Sequence, residues 1–287
     1  MILPDFILPS RVNQRWEYSG MDCLEECFNK EHFNTYPFKI SYNYNSRGFR
    51  DEEWPDDKQL QSSIWCVGDS FTVGVGSPIE HTWVYQVRQQ LNTRTINVSM
   101  DGASNQWIAR KAQRIIDTVE PNVLIVHWSY ISRREDDLNK VREEFWQRFY
   151  KNIAEPSWPR CHWTEINNLP PAILKEINEV FGGWDNDQVT DENRRLVSIN
   201  SSDEEDVEHT VNLANLLNSN CKNTEVMHSF IPKFAPAGYG KKVESQISGI
   251  VIPEFIPLDK ARDGHHYDIL TAQQFATSVR ELVNRHC

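Results

Sequence analysis

Short apolar runs alternate with amphipathic stretches from residue 63 onward, and this alternation constrains the fold more than any other feature of the chain. The runs that predict buried strands lie at 64–67, 95–99, 123–126, 225–230 and 250–252. Helical periodicity predicts helices at 82–91, from Ser104, from about 135, from about 202 and at 271–284. Alternating strands and helices imply right-handed crossovers and a parallel sheet that is covered on both faces. We therefore expect a three-layer α/β/α sandwich with a mostly parallel, flavodoxin-like sheet.

Two segments depart from this alternation. Residues 1–60 carry turn-forming residues and no strong strand pattern, which predicts an N-terminal extension that packs on a core domain of residues 61–287. Residues from about 155 to 200 contain four prolines and three tryptophans, and they predict an insertion between core elements. The tryptophans are Trp158, Trp163 and Trp184. A small satellite core is the favoured interpretation of these rings, and a sugar-stacking wall is the alternative.

Composition excludes several classes of protein. The formal net charge of −11, without a cluster of Lys and Arg, argues against nucleic acid as a partner, because duplex binding depends on such clusters. A mean hydropathy of −0.60 and a Pro-broken N-terminal apolar run predict neither a membrane span nor a signal peptide, so we expect a cytoplasmic protein. The six cysteines form no Cys-x-x-Cys pair, and we expect reduced thiols without a metal or cofactor.

A glycine-rich turn follows the first core strand, where parallel sheets present ligands. It begins with Gly68-Asp69-Ser70. The glycines here do not fit the dinucleotide fingerprint G-x-G-x-x-G, and a P-loop is excluded because no Gly-Lys-Ser/Thr follows. The turn also lacks the final glycine of the G-x-S-x-G nucleophile elbow.

The other end of the chain carries Asp263-Gly264-His265-His266, an Asp-x-x-His pattern just before the last predicted helix. A serine nucleophile needs an adjacent base, and the base needs a carboxylate that holds its useful tautomer. An acid and a base three residues apart allow a single loop to supply both groups. The spacing favours His266 over His265.

Residues 68–76, Gly-Asp-Ser-Phe-Thr-Val-Gly-Val-Gly, resemble the first signature block of the SGNH/GDSL hydrolases. Gly102 matches the glycine of the second block, and the Asp263/His266 pair matches the last block. The three blocks occur in family order, and the resemblance covers about 62–135 and 259–285. It implies the SGNH-hydrolase fold, with Ser70 as nucleophile and Asp263 and His266 completing the triad. It also implies an oxyanion hole formed by the backbone N–H groups of Ser70 and Gly102.

One departure from the family concerns the third block, which normally supplies an asparagine as a further oxyanion donor. This chain has Val126-His127-Trp128-Ser129-Tyr130 there, without an asparagine. Loss of one such donor typically costs about 10²- to 10³-fold in rate. Ser129, Tyr130 and Asn105 are the candidates for a substitute, and we favour Asn105 because it lies three residues after Gly102. A simple role at the helix start is an equal alternative for Asn105.

Two further groups have a packing role as the favoured interpretation. His127 ends a strand, where a histidine is more often a hydrogen-bonded core residue than a catalyst. The segment 43–50 resembles a stretch that precedes the first block in some SGNH proteins. Asn45, Arg47 and Arg50 are therefore candidates for the rim of the site, although packing of this segment on the core is favoured.

The resemblance implies a carboxylic-ester hydrolase that needs no cofactor. Family habit favours small-molecule or glycan ester substrates with short acyl or O-acetyl groups, including esters of carbohydrates. An O-acyltransferase, in which a sugar hydroxyl replaces water, is a related alternative. The alternative from another class is a non-catalytic SGNH-fold protein, such as a phage-encoded or cell-surface carbohydrate binder or a scaffold. Retention of all three triad residue types favours the enzyme.

Overall fold

A computed structural model describes residues 11–17, 40–131, 203–231, 243–254, 256–264 and 266–286. The strands are β1 (Arg15–Glu17), β2 (Ser41–Asn43), β3 (Ile64–Gly68), β4 (Thr95–Ser99), β5 (Val123–Trp128), β6 (Glu225–Phe230) and β7 (Ile250–Val251). The helices are α1 (Asp57–Ser62), α2 (Ser70–Val73), α3 (Trp83–Leu91), α4 (Asn105–Thr118), α5 (Asp203–Asn220) and α6 (Ile269–His286). The predicted helix from about 135, the insertion with its three tryptophans, and His265 lie outside the described residues. In the described ranges, no helix is long and apolar enough to cross a membrane.

Five strands form one parallel sheet in the order β4-β3-β5-β6-β7. Every residue of β3, β4 and β5 is buried, as expected for strands that are covered on both faces. A separate two-stranded antiparallel pair joins β1 and β2. The predicted strands at 64–67, 95–99, 123–126, 225–230 and 250–252 are confirmed to within two residues at each end.

Helices cover both faces of the sheet. Alternate residues of a strand point to opposite faces, so Trp65 packs with Trp107 of α4 on one side. Cys66 packs with Trp83 of α3 and Phe275 of α6 on the other side. Helix α5 adds Ala214 and Leu217 to the first layer, while α3 and α6 pack on each other over the second. The predicted three-layer α/β/α sandwich is confirmed.

Side-chain caps fix the starts of α3 and α4. Thr82 Oγ1 accepts a hydrogen bond from the backbone N–H of Tyr85 at 3.3 Å, and α3 begins at Trp83. Ser104 Oγ accepts one from the N–H of Trp107 at 3.1 Å, and α4 begins at Asn105. These caps satisfy N–H groups that have no partner within the helix. The predicted helices at 82–91 and from Ser104 are confirmed.

The segment 40–51 lies against β4, the strand at one edge of the sheet. Asp51 Oδ2 accepts a hydrogen bond from the backbone N–H of Asn97 in β4 at 3.1 Å. Phe49 is fully buried in the same cluster as Trp65. The segment 40–51 therefore covers the edge strand β4. Covering an edge strand is one way that proteins prevent edge-to-edge association of sheets. They also bring Arg50 next to the turn that follows β3.

Candidate active site

Ser70 is the first residue of α2, immediately after the carboxyl end of β3, and its exposed fraction is 3%. Asp69 fixes this turn, because its Oδ1 accepts the backbone N–H of Phe71 at 3.1 Å. Its Oδ2 accepts the hydroxyl of Ser129, at the end of β5, at 2.6 Å. A Cβ at Gly68 would overlap the Thr72 side chain, so the close approach of strand and helix requires glycine there. The motif residues Gly68 and Asp69 therefore hold Ser70 in a fixed position at the carboxyl end of β3.

His266 lies beside Ser70 although 196 residues separate them in the sequence. Its Nε2 is 2.9 Å from Ser70 Oγ, and its Nδ1 is 2.5 Å from Asp263 Oδ2. An ionised carboxylate can only accept hydrogen bonds, so Nδ1 carries the proton and Nε2 offers a lone pair to the serine hydroxyl. The backbone N–H of His266 also donates to Asp263 Oδ1 at 3.0 Å. The structure thus brings Ser70, His266 and Asp263 into one hydrogen-bonded chain.

The imidazole of His266 is held by packing as well as by hydrogen bonds. The residues Asp263 and His266 are 2% and 1% exposed. The ring of Phe71, the residue after Ser70, lies 4.4 Å from the His266 ring between centroids. The ring of Tyr130 lies edge-on to that of Phe71, with 6.2 Å between the centroids. Burial and an aromatic neighbour restrict the ring to the orientation that both hydrogen bonds require.

Gly76 connects the serine turn to the loop that carries Asp263. Its φ is 81°, and a Cβ on it would lie 3.0 Å from Asp263 Cγ and 2.9 Å from Ala261 Cβ. Its carbonyl accepts the backbone N–H of Arg262 at 3.0 Å. Both the backbone conformation and the close approach require glycine at this position. The last glycine of the first signature block therefore lies directly against the acidic residue of the last block.

Gly102 and Asn105 lie on either side of the turn from β4 into α4. Gly102 is exposed, has a φ of 72°, and has nothing within 4 Å of the position of a Cβ. Asn105 is fully buried and its Oδ1 accepts the backbone N–H of Ser129 at 2.9 Å. Its Nδ2 donates to the carbonyl of Tyr130 at 3.2 Å and to Thr210 Oγ1 at 3.4 Å. Donation from Asn105 to an oxyanion therefore requires one of these two bonds to break, and that role remains a prediction.

A buried polar network forms around His127, and the sequence did not indicate its other members, Ser229 and Tyr267. His127 is fully buried, with Nδ1 2.6 Å from Ser229 Oγ and Nε2 2.9 Å from the hydroxyl of Tyr267. Burial lowers the pKa of His127 to about 3 and raises the pKa of Tyr267 well above its ordinary value. His127 is therefore a neutral core residue, as the favoured interpretation predicted. Only the pairing of β5 with β6 brings Ser229 to it.

Two residues of the segment 40–51 contact the loop that follows Ser70. Arg50 is 2% exposed and donates to backbone carbonyls of that loop, and Tyr42 accepts the N–H of Gly76 at 2.8 Å. Arg50 therefore has a packing role, whereas Arg47 lies over the ring of Trp54 at 4.8 Å. Asn45 closes the turn of its own segment, its Oδ1 accepting the N–H of Phe49 at 3.1 Å. The resemblance in the sequence covers 43–50, so it indicated Arg50 but not Tyr42.

Within the residues that the structure describes, no group of three or more His, Cys, Asp or Glu side chains could hold a metal ion. Cys66 and Cys221 are free thiols, and burial raises the pKa of both. Cys66 lies in β3, within the core, and the other four cysteines are outside the described residues.

No family model and no curated protein matches this chain. Solved structures are similar to it over most of its length. TesA is 11% identical, with a TM-score of 0.45 over 79% of this chain and 100% of that chain. A family two carbohydrate esterase from Clostridium thermocellum, in complex with cellohexaose, is 11% identical, with a TM-score of 0.43 over 79% of this chain and 65% of that chain. A member of the lipolytic protein G-D-S-L family from Veillonella parvula DSM 2008 is 13% identical, with a TM-score of 0.42 over 78% and 99%.

Proposed function

We propose that this chain is a serine hydrolase of the SGNH/GDSL family that cleaves carboxylic esters. The observation that carries the proposal is the continuous hydrogen-bonded chain from Ser70 Oγ through His266 to Asp263, at 2.9 and 2.5 Å. This is the arrangement that activates a serine, because the base is within reach of the hydroxyl and a carboxylate orients the base. Ser70 lies in the first block of the family signature, and Asp263 and His266 lie in its last block.

The proposed reaction begins with attack of Ser70 Oγ on the ester carbonyl carbon while His266 Nε2 takes the hydroxyl proton. The carbonyl oxygen becomes an oxyanion, for which the backbone N–H groups of Ser70 and Gly102 are the proposed donors. The intermediate then expels the alcohol, which receives the proton from His266. Water attacks the resulting acyl-serine by the same route, and His266 returns its proton to Ser70. Asp263 stays ionised throughout and stabilises the imidazolium at each stage.

The low exposure of the triad supports small acyl groups as substrates. Ser70, Asp263 and His266 are each at most 3% exposed. We therefore propose short acyl or O-acetyl esters, with glycan esters included because the resemblance to the SGNH/GDSL family favours them. A series of p-nitrophenyl esters from acetate to octanoate tests the acyl length, with kcat/KM falling as the chain grows. A panel of acetylated sugars then tests the alcohol.

Labelling with a fluorophosphonate tests the nucleophile directly, because the reagent forms a stable bond only with an activated serine. We expect the native chain to be labelled and Ser70→Ala to be unlabelled. Ser63→Ala is the matched control, since Ser63 is also buried and lies at the opposite end of β3 with its hydroxyl bonded to Gln59. An unlabelled native chain, or labelling that survives Ser70→Ala, contradicts the proposal. An unlabelled native chain also supports the non-catalytic alternative.

The base is tested by a pair of neighbouring substitutions. His266→Ala removes the proton acceptor, and we expect it to abolish ester turnover. His265→Ala changes the adjacent histidine, and we expect most of the turnover to remain. The reverse result would assign the base to His265. Addition of a sugar acceptor to the same assay separates hydrolysis from acyl transfer, because only a transferase forms the new sugar ester.

A further inference from the structure

The segment 40–51 places two side chains against the loop between the nucleophile and the acid. Arg50 and Tyr42 are both about 2% exposed, and the guanidinium carbon of Arg50 lies 4.0 Å from the centre of the Tyr42 ring. Both side chains contact residues 73–77, the stretch that follows α2 and lies against Asp263.

Arg50 holds both ends of this loop by charge-assisted hydrogen bonds. Its Nη1 donates to the carbonyl of Val73 at 3.0 Å and of Gly74 at 2.6 Å. Its Nη2 donates to the carbonyl of Ser77 at 2.8 Å and, less closely, to that of Ser41 at 3.3 Å. All of these acceptors are backbone carbonyls, so a fully buried cation is used to fix the path of the chain. Such bonds are stronger and shorter than those between neutral groups.

Tyr42 holds the middle of the same loop. Its hydroxyl oxygen accepts the backbone N–H of Gly76 at 2.8 Å. Gly76 is the residue whose α-carbon lies against Asp263 and whose carbonyl accepts the N–H of Arg262. A shift of Gly76 therefore moves the loop that carries the carboxylate. The same stretch begins at Val73, the last residue of α2, three residues after Ser70.

We propose that Arg50 and Tyr42 are positioning residues that set the distance of Asp263 and His266 from Ser70. The inference deepens the proposed function and rests on it for its kinetic consequence. The triad depends on the short distance between Ser70 and His266, which are 196 residues apart in the sequence, and a misplacement of about 1 Å costs about 10²-fold in rate. The loop 73–77 continues the chain from the serine turn and packs against the loop that carries Asp263. The segment 40–51 fixes that loop from outside the sheet.

Tyr42→Phe is the most specific test, because it removes one hydrogen bond and keeps the ring beneath Arg50. We expect the rate of fluorophosphonate labelling and kcat for p-nitrophenyl acetate to fall about tenfold, with KM changed by less than about twofold. Arg50→Gln removes the charge and most of the N–H donors of the guanidinium, and we expect the labelling rate and kcat to fall about 100-fold. Arg50→Lys keeps the charge but has no planar guanidinium, and it should recover part of that loss.

Arg94→Lys is the matched control for general damage to this part of the fold. Arg94 is half-buried and pairs with Asp51, next to Arg50, at 2.9 Å, and its hydrogen bonds go to Asp51 and to the carbonyl of Thr95 in β4. We expect the unfolding temperature of Arg94→Lys to fall while its labelling rate stays within about twofold of that of the native chain. Circular dichroism at the assay temperature confirms that each variant compared is folded.

A proton NMR measurement separates this inference from the proposed function. We expect the Nδ1 proton between His266 and Asp263 to give a strongly deshielded resonance, and we expect that resonance to move upfield or broaden in Tyr42→Phe. A resonance that moves in a chain that is never labelled contradicts the proposed function and supports the positioning role. Unchanged labelling, kcat and resonance in a folded Tyr42→Phe contradict the positioning role, even if the native enzyme is active.

Discussion

Acidification should destabilise this protein through His127, a fully buried histidine of β5. Its two ring nitrogens contact Ser229 and Tyr267, and no side chain among those partners carries a negative charge that would stabilise an imidazolium. Burial lowers the pKa of His127 from 6.5 to about 3. Below pH 6.5 the unfolded chain therefore binds a proton that the folded chain does not bind. The free energy of unfolding must fall as the pH is lowered.

The size of the effect follows from the proton count. One extra proton on the unfolded state changes the free energy of unfolding by about 1.4 kcal/mol per pH unit. Between pH 6.5 and pH 4 the folded His127 stays neutral, so its contribution to the loss is about 3 kcal/mol over that interval. This is a large share of the 5–15 kcal/mol that is typical of folded domains. Burial lowers the pKa of His228 to about 4, so this residue adds a loss of similar size.

The variant His127→Gln isolates this contribution, because it keeps a polar side chain and removes the titration. Asp51 acts in the opposite direction over the same pH range, since burial raises its pKa to about 6, and comparison of the variant with the native chain cancels its effect. We expect urea unfolding at pH 7 to show the variant less stable than the native chain. The free energy of unfolding of the native chain minus that of the variant should be about 3 kcal/mol smaller at pH 4 than at pH 7, and it can change sign. Parallel stability curves from pH 7 to pH 4 would refute the reasoning.

Three further outcomes are expected. Asp263→Asn should lower kcat by about 10⁴-fold, because it favours the wrong tautomer of His266, with little loss of stability. The pH-rate profile checks the effect on kcat, and circular dichroism checks that the variant is folded. Asn105→Ala should lower the free energy of unfolding by about 1–3 kcal/mol, because it leaves the N–H of Ser129 buried without its acceptor; a fall in kcat of about 10²-fold or more in the folded variant would assign Asn105 to the oxyanion hole instead. Gly76→Ala should cost more stability than Gly102→Ala in urea unfolding, because both need a positive φ, worth about 1–2 kcal/mol, but only the Cβ at position 76 meets Asp263; equal losses would contradict this reasoning.

The sequence by itself determined the parallel sheet and the order of its helices. Continuous apolar runs are needed where a strand is covered on both faces, and β3, β4 and β5 each have one. Capping chemistry is local too, so the helix starts after Thr82 and Ser104 were readable from neighbouring residues. The candidate triad was readable because a family signature preserves residue types at fixed short spacings.

Only the tertiary structure decided the contacts between residues that are far apart in the sequence. The network of His127 depends on Ser229, 102 residues away, and on Tyr267, 140 residues away. No local pattern records such a pairing, because it arises when β5 meets β6 and when α6 packs on the sheet. The position of Arg50 was likewise decided in three dimensions, since the edge strand β4 had to be covered before the guanidinium could reach the carbonyls after Ser70. Spacing along the chain determines which elements form, whereas the distances within the site depend on how those elements pack.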